Sequence, residues 1–276
     1  MMPFYDKYDN EASTLSIYHM LKKLGLPDSN IILMLHGSFA CHPNNPYQGR
    51  MVGFIHDFVD VYDDVEVDYR GQEVTVSNII RVLTGRHRPS TSRSKKMSSN
   101  YRSNVLIYLS GHGTENGVMK VGETMDLNTD QLGNAIADMY AQNRYNEVLV
   151  IPSTCHAAAM CSGLKGKNVL CMATSKLNEK SYSGPVSHDH LGKVTGEFEL
   201  HLSQFLETLY KQKNSSLSLE DFVNARPKQE MRSTITLRKD LYPRQLNTVR
   251  AFDFFGMKRR IEFIPVMEIS SEEFNN

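Results

Sequence analysis

The sequence predicts an α/β fold with a mostly parallel central sheet and helices on both of its faces. Short continuous apolar runs recur at Asn104 to Leu109, Val148 to Ile151 and Asn168 to Ala173, the pattern of strands buried on both sides. Segments of helical period separate them, and a strand, helix, strand crossover makes successive strands parallel and right-handed. The chain has 276 residues, 40% of them hydrophobic, enough to bury one large core. One domain is expected over residues 1–256, followed by a tail at 257–276.

In order, Thr14, Ile17, Tyr18, Leu21 and Leu24 recur at helical spacing, and Gly25 with Pro27 stops that helix. A strand is expected at Ile31 to Leu35. The segment from His36 to Gly53, rich in Gly, Pro and Asn, reads as a long loop, and Cys41 sits in it. Asp63 to Tyr69 alternates carboxylates with valines. As a strand it would project Asp64, Glu66 and Asp68 on one face. Three gathered carboxylates repel unless a cation sits among them, so calcium is a candidate here with Asp28 as a further ligand. The alternative is a solvated face.

Thr75 to Leu83 is a short helix closed by Gly85, and Arg86 to Arg102 is a basic, mobile connection. Thr114 to Asp126 is a turn-rich crossover. The helix from Asp130 to Arg144 places Leu132, Ile136, Met139 and Tyr140 on one face. Pro152 is expected to stop the strand before it. Further helices are expected at Glu197 to Tyr210 and after the Ser218/Asp221 capping box, with an edge strand at Val249 to Phe255.

Lysine plus arginine and aspartate plus glutamate each number 31, which gives no basis for nucleic-acid binding or an anionic membrane surface. Cys41, Cys155, Cys161 and Cys171 lack the spacing of structural zinc or of a dense disulfide framework. No signal peptide or transmembrane segment is visible in this chain. Asn214-Ser215-Ser216 is a glycosylation sequon, relevant on the secretory route.

Two of the apolar runs lead into chemistry. One ends in Ser110-Gly111-His112-Gly113, the other in Ser153-Thr154-Cys155. Parallel strands put both ends on one sheet edge, where open α/β sheets hold ligands. There His112 can take the thiol proton of Cys155 and return it to a leaving group. The N–H groups of Gly113 and Cys155 can stabilise an oxyanion. This is acyl transfer through a thioester. Thr174 to Ser187 leaves the same edge as a pocket wall, with Ser175 and Ser181 as candidate substrate contacts.

The order strand, Gly-His-Gly, helix, strand, Ser-Thr-Cys resembles the caspase-hemoglobinase fold, a caspase-like three-layer sandwich. Asp63 to Gly71, Glu73 to Val76, Arg81 to Arg86, Arg102 to Asn104, Arg144 to Glu147 and Asp253 to Gly256 are similar to the catalytic subunits of GPI-anchor transamidases, within the legumain-like cysteine peptidases. The resemblance runs from about Leu15 to about Gly256. It implies an endoplasmic-reticulum enzyme that cleaves a C-terminal signal from a proprotein and passes the acyl group to the amine of a GPI lipid. His112 would be the base, Cys155 the nucleophile and Gly113 an oxyanion position. Asp28, Glu66 and Asp68 would be a structural calcium site, and Cys41 would pair with another subunit of the complex.

The chain departs from that family at three places. Ser153 replaces an aspartate two residues before the cysteine, Thr114 replaces a glycine, and Lys7 stands where an asparagine assists the histidine. A weakened or non-catalytic relative that occupies the complex, and a free legumain-like endopeptidase, are the alternative functions.

Overall fold

The structure is a computed structural model that describes residues 5–53, 60–184, 195–212, 216–225 and 231–257. The tail from 258 onward and the residues Asn214 and Ser215 of the sequon lie outside them. In chain order the elements are α1 (Tyr5–Lys23), β1 (Met34–Leu35), β2 (Tyr69–Arg70), α2 (Val76–Thr84), β3 (Asn104–Ser110), β4 (Val118–Val121) and β5 (Met125–Asn128). There follow α3 (Thr129–Ala141), β6 (Glu147–Ser153), α4 (Ala157–Ser162), β7 (Val169–Ala173), α5 (Glu197–Lys211), α6 (Leu219–Asn224), β8 (Thr236–Arg238) and α7 (Phe252–Phe255).

The main sheet runs β3-β6-β7-β8, parallel except for β8. Its central strand β6 is buried along its whole length. Val148, Leu149, Val150 and Ile151 are each 0% exposed, worth about 1.5–3 kcal/mol per side chain in apolar burial. Alternation divides them between two cores. Leu149 and Ile151 join α1, α5 and α6 on one face. Val148 and Val150 join α2, α3 and α4 on the other. These are the three layers of the predicted α/β sandwich.

Local chemistry sets the helix ends. Thr75 accepts from the Asn78 N–H to open α2, and Gly85, at φ 71°, closes it in the left-handed region. Ser218 and Asp221 form the reciprocal box that opens α6.

Several expectations are corrected. Pro152 does not end β6, which runs on to Ser153, with Leu109 opposite Pro152 and Ser110 opposite Ser153. The expected crossover from Thr114 contains the antiparallel hairpin β4–β5. Val249 to Phe255 is not an edge strand: it leads into the short helix α7, and β8 takes the sheet edge. The basic connection after α2 is fastened, because Arg144 donates to the carbonyls of Leu83 and Met97, each at 2.9 Å. Cys161 and Cys171, placed in α4 and β7, form a disulfide.

The acidic segment is not an extended strand either. Residues 61–64 form a turn, with Asp64 in the left-handed region at φ 54°, and Asp64 pairs with Lys22 at 3.0 Å. Asp68 turns inward, where its Oδ2 accepts the Leu33 N–H at 2.9 Å. That bond holds the short parallel pair β1–β2 in register.

Candidate active site

The last rung of the parallel ladder between β3 and β6 is Ser110 opposite Ser153. His112 and Cys155 therefore leave the sheet at the same edge, each two residues past that rung. Gly113 brings the two loops into contact. A Cβ at this position would lie 2.2 Å from Thr154 Oγ1 and 2.6 Å from the Cys155 carbonyl oxygen, so a hydrogen is the largest substituent the gap admits. Among the described residues, neither the Gly113 nor the Cys155 N–H has a hydrogen-bond partner.

His112 is exposed, and its carbonyl accepts from Lys120 N–H at 2.9 Å, which ties its loop to the hairpin. Beside it opens a cleft of about 760 Å³ whose walls include Asn10, Glu11, His36 and Ser110. Cys155 is a free thiol of intermediate burial, 3.9 Å from the carbonyl of Ser181. Ser181 thus stands next to the sulfur. Ser175 is 0% exposed and does not line a wall: it accepts from Ala157 N–H and donates to the Thr154 carbonyl, both at 3.0 Å. It fastens the turn that carries the cysteine.

That turn includes a histidine the sequence reading passed over. His156 sits in the left-handed region at φ 55° as the residue before α4. Its Nδ1 lies 2.5 Å from the Leu177 carbonyl, so Nδ1 carries a proton, since a carbonyl only accepts. Glu115 Oε1 is 4.0 Å from the same nitrogen. The adjacency of His156 to Cys155 was visible in the sequence, but a left-handed turn was not.

The wall that follows β7 is held from outside. Arg232 lies 4.2 Å over the Tyr182 ring, donates to the Ser183 carbonyl at 3.1 Å and pairs with Glu197 at 2.6 Å. Glu179 accepts from Thr234 N–H at 2.8 Å.

The proposed calcium ligands are partly gathered. Glu66 hydrogen-bonds Asp28, and that contact and the Asp28 charge push the Glu66 carboxyl up. Asp28 also accepts from the Tyr18 hydroxyl. Asp68 is committed to Leu33, and no group of three or more His, Cys, Asp or Glu converges as a metal site among the described residues. Glu66 and Asp68 nonetheless both feel the charge of Asp28. Cys41 is exposed at the end of a single helical turn in the loop, between Phe39 and His42 of the cleft wall. Lys7 lies in α1, with its side chain outside the described residues.

A caspase-like α/β sandwich with a cysteine and a histidine at neighbouring strand ends is the architecture of a cysteine-peptidase class. The family model described as the peptidase C13 family matches residues 3–234, and the chain belongs to that family. A Caenorhabditis elegans relative is 39% identical over 98% of this chain and 85% of its own length. The GPI-anchor transamidase of Homo sapiens is 40% identical over 94% of this chain, and that of Saccharomyces cerevisiae is 36% identical over 92%. The aligned parts cover 65% and 61% of those two proteins, so this chain spans under two thirds of either.

Proposed function

We propose that this chain is the catalytic subunit of a cysteine-dependent transamidase that replaces a C-terminal proprotein signal with a GPI lipid. The observation that supports the reading is the shared ladder end: β3 and β6 pair in parallel through Ser110 and Ser153, so the segments carrying His112 and Cys155 start from one sheet edge. The Cys155 sulfur attacks the scissile carbonyl while the His112 imidazole takes the thiol proton. The N–H groups of Gly113 and Cys155 receive the developing oxyanion. Collapse breaks the C–N bond, the imidazolium gives its proton to the departing amine, and a thioester remains. The amine of the GPI lipid then attacks that thioester, loses a proton to His112, and leaves as an amide while the thiol is restored.

The names of the human and yeast relatives support this reading. So does the buried Cys161–Cys171 bond, since persistent disulfides belong to oxidising compartments such as the endoplasmic-reticulum lumen. No helix among the described residues is long and apolar enough to cross a membrane. Attachment to the other transamidase subunits, through the exposed Cys41, is part of the same proposal.

The test is rescue of GPI-anchored surface protein in cells that lack their own catalytic subunit. The chain is expected to restore it and its Cys155→Ala form is not. Restoration by both would assign the chain a non-catalytic place in the complex. Cleavage of soluble peptides without lipid acceptor or partners would make it a free endopeptidase.

A further inference from the structure

A buried carboxyl lies beneath the strand ends that carry His112 and Cys155. Glu199, in the first turn of α5, is 2% exposed, and its Oε1 accepts the Tyr108 hydroxyl at 2.9 Å. The Ser153 hydroxyl donates to the same carboxyl. On the neighbouring strand the Ser110 hydroxyl, next to Tyr108, donates to Asn10 Oδ1 at 3.0 Å. The Asn10–Ser110 pair thus stands beside the Tyr108–Glu199–Ser153 group, a polar cluster on α1, β3, α5 and β6. It lies on a sheet face that is otherwise apolar, packed with Leu106, Leu149 and Ile151.

Such a group is costly, because burial disfavours the charged carboxylate and holds the Glu199 carboxyl above its ordinary range. Packing alone would be served by an apolar side chain. The fold instead makes room for the carboxyl: a Cβ at Gly196, just before α5, would lie 1.8 Å from Glu199 Oε2. The carboxyl also acts at a sensitive point. Ser110 and Ser153 are the final rung, and beyond it the two loops are in van der Waals contact at Gly113.

We propose that Glu199 is a positioning residue for the reaction, fixing Ser153, and through it the turn that presents Cys155 to His112. The carboxyl that supports the cysteine is delivered across the hydrogen bond from α5, while β6 itself contributes a hydroxyl. The inference rests on the reading of Cys155 as nucleophile given under Proposed function.

The test uses the full chain in its complex and three variants: Glu199→Gln, Ser153→Asp and the two combined. It follows turnover, the rate at which iodoacetamide labels Cys155, and the melting temperature. Glu199→Gln is expected to lower kcat and the labelling rate about 10-fold or more with KM unchanged, as for a small misplacement of reacting groups. Ser153→Asp alone buries two carboxyls together and is also expected to be slow. The double variant moves one carboxyl from helix to strand and is expected to recover to within about threefold of the parent, a coupling that independent sites do not show. Should Glu199→Gln fail to fold, Tyr108→Phe, which keeps the ring and removes one bond to the carboxyl, is expected to slow both rates. Full-speed Glu199→Gln, or a double variant that melts like the parent without recovering, overturns the inference. Parent Cys155 labelled no faster than in the denatured chain would instead bring down the nucleophile reading, and this inference with it.

Discussion

Glu11 shows how the site carries cost at the scale of a residue. It is 7% exposed in the wall of the cleft beside His112, and its Oε1 has no hydrogen-bond partner among the described residues. Burial pushes its carboxyl from 4.5 up to about 7, against a smaller opposing effect of the Phe39 N–H. In the unfolded chain the group ionises near 4.5, while in the folded chain it stays protonated until about 7. Its contribution to stability is therefore undiminished below 4.5, falls as pH rises through that window, and is fully lost above it. Glu11→Gln is expected to remove this slope, with a gain of about 3 kcal/mol at pH 8 and none at pH 4. Urea midpoints at the two pH values check it; an unchanged slope would show that Glu11 is already ionised in the folded chain.

At the scale of elements, α4 is the piece on which the thiol depends, and both its ends are fixed by partners distant in sequence. Ser175 holds its start. At its other end Arg238 Nη1 reaches the carbonyls of Cys161, Ser162 and Leu164 at 2.5, 2.9 and 3.1 Å, a cation where the helix dipole favours one. Arg238→Ala is expected to cost about 2 kcal/mol, the worth of charge-assisted bonds to carbonyls at a helix end. A thermal melt measures it, and a loss under a few tenths would assign α4 to its apolar face alone. None of these contacts was legible in the sequence, because each joins side chain to backbone across tertiary distance. What was legible had a local cause: the apolar runs of β3, β6 and β7, the periodic face of α3, and the caps of α2 and α6. From those alone the shared edge of His112 and Cys155 followed. The hairpin β4–β5 and strand β8 escaped notice since polar residues interrupt them, as in Lys120, Asp126 and Arg238. The carboxylate alternation suggested a strand where a left-handed Asp64 and an inward Asp68 break the period.

For the molecule as a whole, the Cys161–Cys171 bond joins the helix after Cys155 to the sheet, with both cysteines buried at 3% and 1% exposure. Replacing both by alanine is expected to lower stability by about 3 kcal/mol, as removal of a short covalent loop does. Denaturant unfolding of the two forms measures it, and equal midpoints would mean the covalent link adds nothing beyond packing.

One further contact shapes how the crevice can behave. Thr129, where the hairpin passes into α3, donates to the Met160 carbonyl at 2.8 Å and accepts from Gly163 N–H at 2.9 Å. The lobe that bears the imidazole is thereby buttoned to the one that bears the sulfur, outside the sheet as well as within it. Neither lobe can swing aside without pulling the other. A motion that parts the two strand ends would have to break the Thr129 bonds together with the ladder between β3 and β6.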